Sequence, residues 1–161
     1  SSFTSSLGRL FFSVLVEITK ISRSNQKNDY LPNVMNLNGI KILLIEDDID
    51  VLKSTQQLLE SWGCIVTTGS DKNEVIDIIK SKGFLNPDII IADNRLPGDA
   101  FGVDVVRTVQ KELKSKIPSV IVTGDVERSH VQSITAQGFP VLLKPIQPAK
   151  FRAIISHLVR S

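Results

Sequence analysis

Five short apolar runs, rich in β-branched residues, recur along this chain, and a longer stretch with helical spacing follows each one. Residues 40–45 (IKILLI), 64–68 (CIVTT), 88–92 (DIIIA), 119–123 (SVIVT) and 139–143 (FPVLL) are almost continuously apolar. Runs of that kind suit strands buried on both faces, as in a parallel sheet covered by helices. The stretches between them carry apolar residues on one helical side: Val51, Leu52, Thr55, Leu58 and Leu59; then Val75, Ile76, Ile78 and Ile79; then Val103, Val105, Val106, Val109 and Leu113. Residues 126–137 are weakly apolar, and residues 148–159 place Phe151, Ile154, Ile155 and Leu158 at i, i+3, i+4 and i+7. Gly63, Gly83 and Gly138 stand where helices should stop. A βα alternation repeated five times predicts an α/β fold, a doubly wound parallel sheet with helices on both faces.

Sheets of this type bind ligands beyond the carboxyl ends of their strands. Glu46-Asp47-Asp48 follows the first run, Asp93-Asn94-Arg95 the third, Thr123-Gly124-Asp125 the fourth and Lys144-Pro145 the fifth. The second run ends in Thr67-Thr68-Gly69 and offers no comparable chemistry. Carboxylates gathered on one rim repel one another, so a divalent cation is needed to keep them ionised together. All-oxygen ligands without His or Cys favour Mg²⁺ or Mn²⁺ over zinc. A carboxylate beside such an ion can attack phosphorus and form an aspartyl phosphate. A lysine and a hydroxyl would then neutralise and hydrogen-bond the phosphoryl oxygens. Gly124 leaves room for the group to approach the backbone.

The runs IKILLIEDDIDV, DIIIADNRLPG, SVIVTGD and LLKPIQP, in this order and spacing, make residues 39–159 resemble the receiver domain of two-component response regulators. The resemblance implies a flavodoxin-like (βα)5 fold with strand order 2-1-3-4-5. It also implies roles for single residues. Glu46 and Asp47 match the acidic pair, with Asp47 the direct metal ligand, and Asp93 matches the phosphoacceptor. Arg95 stands where a backbone carbonyl completes the metal shell. Thr123 matches the switch hydroxyl, and Lys144 the site lysine, followed by Pro145, usually cis in the family. The implied partner is a histidine kinase or a histidine phosphotransfer domain. One position departs from the family pattern: three residues before the lysine, receivers often carry Tyr or Phe, and here Val141 stands there. That change puts the usual coupling between hydroxyl and ring in question, but not phosphorylation itself.

Other residues have plainer readings. Asp48 suits a helix N-cap better than a third ligand position. Asp99, Asp104 and Asp125 are read as solvated, although Asp125 and Arg95 each lie two residues past a site residue. In receivers those two side chains influence how fast the phosphoryl group hydrolyses. Trp62 is read as packing, and His130 and His157 as surface or packing residues away from the site. Two rival classes fit less well. A pure interaction module would lack one or more of the site residues. A phosphatase using an aspartyl phosphate would want an acid two residues after Asp93, where Arg95 stands.

Charge narrows the partners. Residues 39–161 carry 15 Lys/Arg and 15 Asp/Glu, without the basic excess that binding a phosphate backbone needs. Nucleic acid is therefore not an expected partner. The apolar runs are too short to span a bilayer, so no direct membrane contact is expected. A single Cys64 excludes an intramolecular disulfide, and a reducing, cytoplasmic setting is expected. The opening Ser1, without a charged-then-apolar leader, reads as a fragment lacking an export signal.

Three regions are expected: residues 1–21 from a preceding domain, a polar, Asn-rich linker at 22–38, and the receiver-like unit at 39–161. Residues 6–18 (SLGRLFFSVLVEI) fit either a strand or a helix, and β-branched and aromatic content favours the strand. The stretch is similar to the last strand of a histidine-kinase ATP-binding domain. That likeness implies the carboxyl-terminal receiver of a hybrid sensor kinase. The alternative is a stand-alone single-domain response regulator acting by protein contact.

Overall fold

In the computed structural model, residues 36–125 and 127–160 are described; the expectations for residues 1–35 lie outside them. In chain order the elements are β1 (Lys41–Ile45), α1 (Ile49–Ser61), β2 (Ile65–Gly69), α2 (Lys72–Lys80), β3 (Ile89–Asp93), β4 (Arg95–Leu96), β5 (Ala100–Phe101), α3 (Gly102–Leu113), β6 (Ser119–Thr123), α4 (Arg128–Ala136), β7 (Val141–Leu143) and α5 (Pro148–Arg160). The main sheet has order β2-β1-β3-β6-β7, all parallel, the doubly wound, flavodoxin-like arrangement expected. No described helix is long and apolar enough to cross a membrane.

Alternation along each strand divides the core between two faces. Leu43, Ile45, Ile90, Ala92, Ile121 and Val141 point to one side, where Val75 of α2, Val103, Val106 and Val109 of α3, and Ile134 of α4 cover them. Ile42, Leu44, Ile89, Ile91, Val120, Val122 and Leu142 point to the other, against Leu52 and Leu59 of α1 and Phe151, Ile154 and Ile155 of α5. The central strands β1, β3 and β6 are buried almost throughout, which is why they read as unbroken apolar runs, whereas the edge strand β2 is only partly covered. Gly63, Gly83 and Gly138 take φ of 87°, 88° and 90° just past α1, α2 and α4, the left-handed region that glycine enters without strain.

Several boundaries differ from the sequence reading. The first three strands begin one residue later. The fifth omits Phe139 and Pro140: Pro140 has no N–H to give the ladder, although its carbonyl accepts from Ile121 at 2.9 Å. The fourth helix begins at Arg128. A two-stranded antiparallel hairpin, β4 with β5, is added after β3. Leu37, read as linker, is 1% exposed within the α1/α5 core. Its carbonyl accepts from the Ile40 N–H at 3.1 Å.

Register brings the strand ends level. Ile45 pairs with Gly69 and Ala92, Asp93 with Val122, and Thr123 with Leu143. Glu46, Asp93, Thr123 and Lys144 therefore emerge on one rim.

Candidate functional site

The rim is organised around one ammonium group. Lys144 Nζ lies 3.0 Å from Asp93 Oδ1 and 3.2 Å from Glu46 Oε2. Glu46 is buried, and its other oxygen, Oε1, accepts from the Asp48 N–H at 3.1 Å. Its own N–H donates to the Gly69 carbonyl at 3.0 Å, so the end of β2 fixes the first acid. Asp47 is exposed, and a carboxylate oxygen from each of Glu46, Asp47 and Asp93 lies within 4.8 Å of the others. Three carboxylates thus face one lysine. The Lys144–Pro145 bond is cis.

Environment sets the charge on these groups. Burial raises the Asp93 carboxyl above its usual range, and the nearby Asp47 charge adds to the rise; Lys144 only partly offsets it. Burial likewise raises Glu46, with the Asp48 N–H and Lys144 acting the other way. For Lys144, burial favours the neutral amine, but Asp93 and Glu46 together outweigh it and hold the group above its ordinary value, charged. The site is short of positive charge, and a hard divalent cation fits the remaining deficit.

Asp48 does what a cap does: its Oδ1 accepts from the Asp50 and Val51 N–H groups at 3.0 and 3.2 Å, tying up two donors at the start of α1. Thr123 is 3% exposed. Its Oγ1 accepts from the Asp125 N–H at 3.0 Å. Gly124 is exposed, and a Cβ there would meet only Lys144 Cδ, at 4.0 Å. Arg95 is exposed on β4, with Nη2 3.8 Å from Asp125 Oδ2. Val141 is fully buried in β7. Trp62 packs on Phe151, ring centroids 6.0 Å apart, with the Arg152 guanidinium over its ring.

Two residues escaped the sequence reading. Gly102 opens α3, and a Cβ there would stand 2.2 Å from the Asp93 carbonyl oxygen. Its N–H donates to the Asn94 carbonyl at 2.9 Å, so only glycine lets α3 start this close to Asp93. His130 corrects an expectation, since it is not remote from the site. Its Nδ1 is 2.5 Å from Asp125 Oδ2, one contact away from Arg95. The Glu127 N–H, and then His130, lower the Asp125 carboxyl; the Asp125 bond, with the Asp125 and Glu127 charges, raises His130. The signal was an aspartate before a helix and a histidine in its first turn. His157, by contrast, lies near the end of α5.

Residues 42–156 match the response regulator receiver domain family, and the chain belongs to that family. It is 30% identical over 122 residues to the cell cycle transcriptional regulator CtrA of Caulobacter vibrioides, covering 75% of this chain and 51% of that one. It is 29% identical over 125 residues to a two-component response regulator of Arabidopsis thaliana, covering 76% of this chain and 23% of that one. The chain therefore spans about half or less of these relatives. Among solved structures, a response regulator receiver domain protein from Clostridium thermocellum superposes with a TM-score of 0.65 at 25% identity, covering 75% of this chain and 94% of that one. The response regulator PhyR of Brucella abortus gives 0.69 at 21% identity, covering 88% and 56%, a likeness of fold.

Proposed function

We propose that this chain takes a phosphoryl group from a phosphohistidine onto Asp93, with Mg²⁺ or Mn²⁺ bound by Glu46, Asp47, Asp93 and the backbone carbonyl of Arg95. The observation that carries this is the Lys144 ammonium shared by Asp93 and Glu46 at 3.0 and 3.2 Å, with Asp47 beside them. The all-oxygen donor set fits such an ion, and when bound it would offset carboxylate repulsion and developing phosphoryl charge. The transfer forms a bond from an Asp93 carboxylate oxygen to phosphorus and breaks the bond from phosphorus to the imidazole nitrogen. The imidazole leaves with that electron pair. Lys144, freed from Asp93 as its carboxylate charge is taken up, neutralises a phosphoryl oxygen. The Thr123 O–H donates to another.

The donor is a histidine kinase or a histidine phosphotransfer domain. A cavity of about 600 Å³, lined by Val51, Ser54, Thr55 and Leu58 of α1 and by Lys144, Pro145 and Ile146, opens beside the site and suits an apolar partner helix. The balanced charge of residues 39–161 speaks against direct binding of DNA. The parent protein is read as a hybrid sensor kinase in the cytoplasm. In the test, the protein is incubated with phosphoramidate and Mg²⁺, and separately with labelled phospho-kinase or phosphotransfer domains. One labile phosphoryl group should appear, be suppressed by EDTA and be absent in Asp93→Asn. Undiminished labelling of Asp93→Asn refutes the site. A sequence-specific DNA complex without any transfer from phosphohistidine refutes the partner reading.

A further inference from the structure

The loops after β3 and β6 are joined by more than the sheet. Arg95 follows Asp93 by two residues, Asp125 follows Thr123 by two, and Arg95 Nη2 lies 3.8 Å from Asp125 Oδ2. That separation exceeds hydrogen-bond range, and an exposed pair at such a distance holds its partners only weakly. Something else must fix the carboxylate. Asp125 Oδ1 accepts from the Glu127 N–H at 2.9 Å, and Oδ2 is bonded to His130 Nδ1 at 2.5 Å. Its own N–H reaches Thr123 Oγ1 at 3.0 Å. Glu127 Oε2, 3.8 Å from the same ring nitrogen, also favours a charged imidazole. The ring further lines a cavity of about 280 Å³ between the β4–β5 hairpin and α4, together with Arg95 and Asp104. His130 is thus the side chain that holds Asp125 from α4, while Arg95 reaches toward it from the other loop.

We propose that His130 is a positioning residue: it pins the Asp125 carboxylate opposite Arg95, at the edge of the space over Asp93, and thereby slows hydrolysis of a phosphoryl group on Asp93. The inference rests on the phosphoacceptor reading above. Hydrolysis forms a bond from water oxygen to phosphorus and breaks the bond from phosphorus to the Asp93 oxygen. The carboxylate leaves with the electron pair, and the water proton passes to the phosphate or to solvent. A carboxylate held in one place, with the Arg95 guanidinium opposite it, limits the space through which that water arrives.

The wild type, His130→Ala, His130→Asn, Asp125→Ala and the His130→Ala/Asp125→Ala double variant are loaded with phosphoramidate and Mg²⁺. The donor is removed, and loss of the phosphoryl mass is followed with time. His130→Ala should shorten the half-life by about three- to tenfold, the scale of one hydrogen bond lost. His130→Asn, whose amide Nδ2 takes the place of Nδ1 and can donate to Asp125, should restore most of it, and the double variant should decay no faster than Asp125→Ala alone. His130 is half-exposed, so these variants should fold, and cooperative urea unfolding with an unchanged m will show it. Loading of wild type but not Asp93→Asn, with His130→Ala decaying at the wild-type rate or without rescue by His130→Asn, overturns this inference alone. No loading of the wild type, or loading of Asp93→Asn, overturns the phosphoacceptor reading and the inference with it.

Discussion

Replacing Gly102 with alanine puts a methyl group 2.2 Å from the Asp93 carbonyl oxygen, 3.1 Å from its carbon and 3.4 Å from Asn94 Cα. All three atoms are backbone, so no rotamer change relieves the clash. Overpacking of this kind costs about 2–3 kcal/mol. Stretching the Gly102 N–H bond to Asn94 adds about 1 kcal/mol, and the better helix propensity of alanine returns about 1 kcal/mol. The net loss is about 2–3 kcal/mol, or about 6–15 °C in Tm for a domain of this size. Gly124→Ala is the control, because its Cβ meets only Lys144 Cδ at 4.0 Å; its cost should stay within about 0.5 kcal/mol. Urea unfolding followed by fluorescence of the single tryptophan, Trp62, which packs on Phe151, gives both midpoints at constant m. If the two variants unfold at the same urea concentration, the close approach of α3 to Asp93 is not a constraint, and the reasoning fails.

Two further outcomes are expected. Mg²⁺ should stabilise the wild type against urea, by about 2.7 kcal/mol of unfolding free energy at a hundredfold excess over Kd. Asp47→Ala should abolish that gain. Asp48→Ala should lose about 1 kcal/mol of cap stability yet keep the response to the ion, and equal loss of response in both places the acidic pair wrongly. Without the ion, Asp93→Asn should be more stable than the wild type at pH 7. Burial, and then the Asp47 charge, raise Asp93, so its charged form is better accommodated in the unfolded chain. That penalty is complete above the folded pKa and vanishes as pH falls below the unfolded value. The gain from Asp93→Asn should therefore shrink on acidification, and a midpoint below wild type at pH 7 contradicts it.

Much of the rim was legible because strands buried on both faces leave little choice of side chain. Once Ile42–Ile45, Ile89–Ala92 and Val120–Val122 are recognised as core, the polar residues after them must share one edge. The β4–β5 hairpin was not legible, since two residues a side are too few for any period to show. Leu37 was missed because a lone leucine between asparagines carries no pattern. Gly102 drew no reading at all, and only the approach of α3 to β3 shows what its missing Cβ avoids. His130 was set aside because its partner is five residues away across the start of α4, a spacing that belongs to neither helix nor strand.

The burial of Leu37 also fixes geography. Its carbonyl accepts from the Cys64 thiol at 3.7 Å, and the Gly39 N–H that follows donates to Gly63, so the chain is moored at the amino end of β1. Glu46 and Asp93 lie at the opposite end, five residues along the strand, or about 16 Å away. The first described residues therefore sit at the pole facing away from the acids. A visitor to Asp93 approaches the other pole, and the mooring of residues 37–39 does not cross its path.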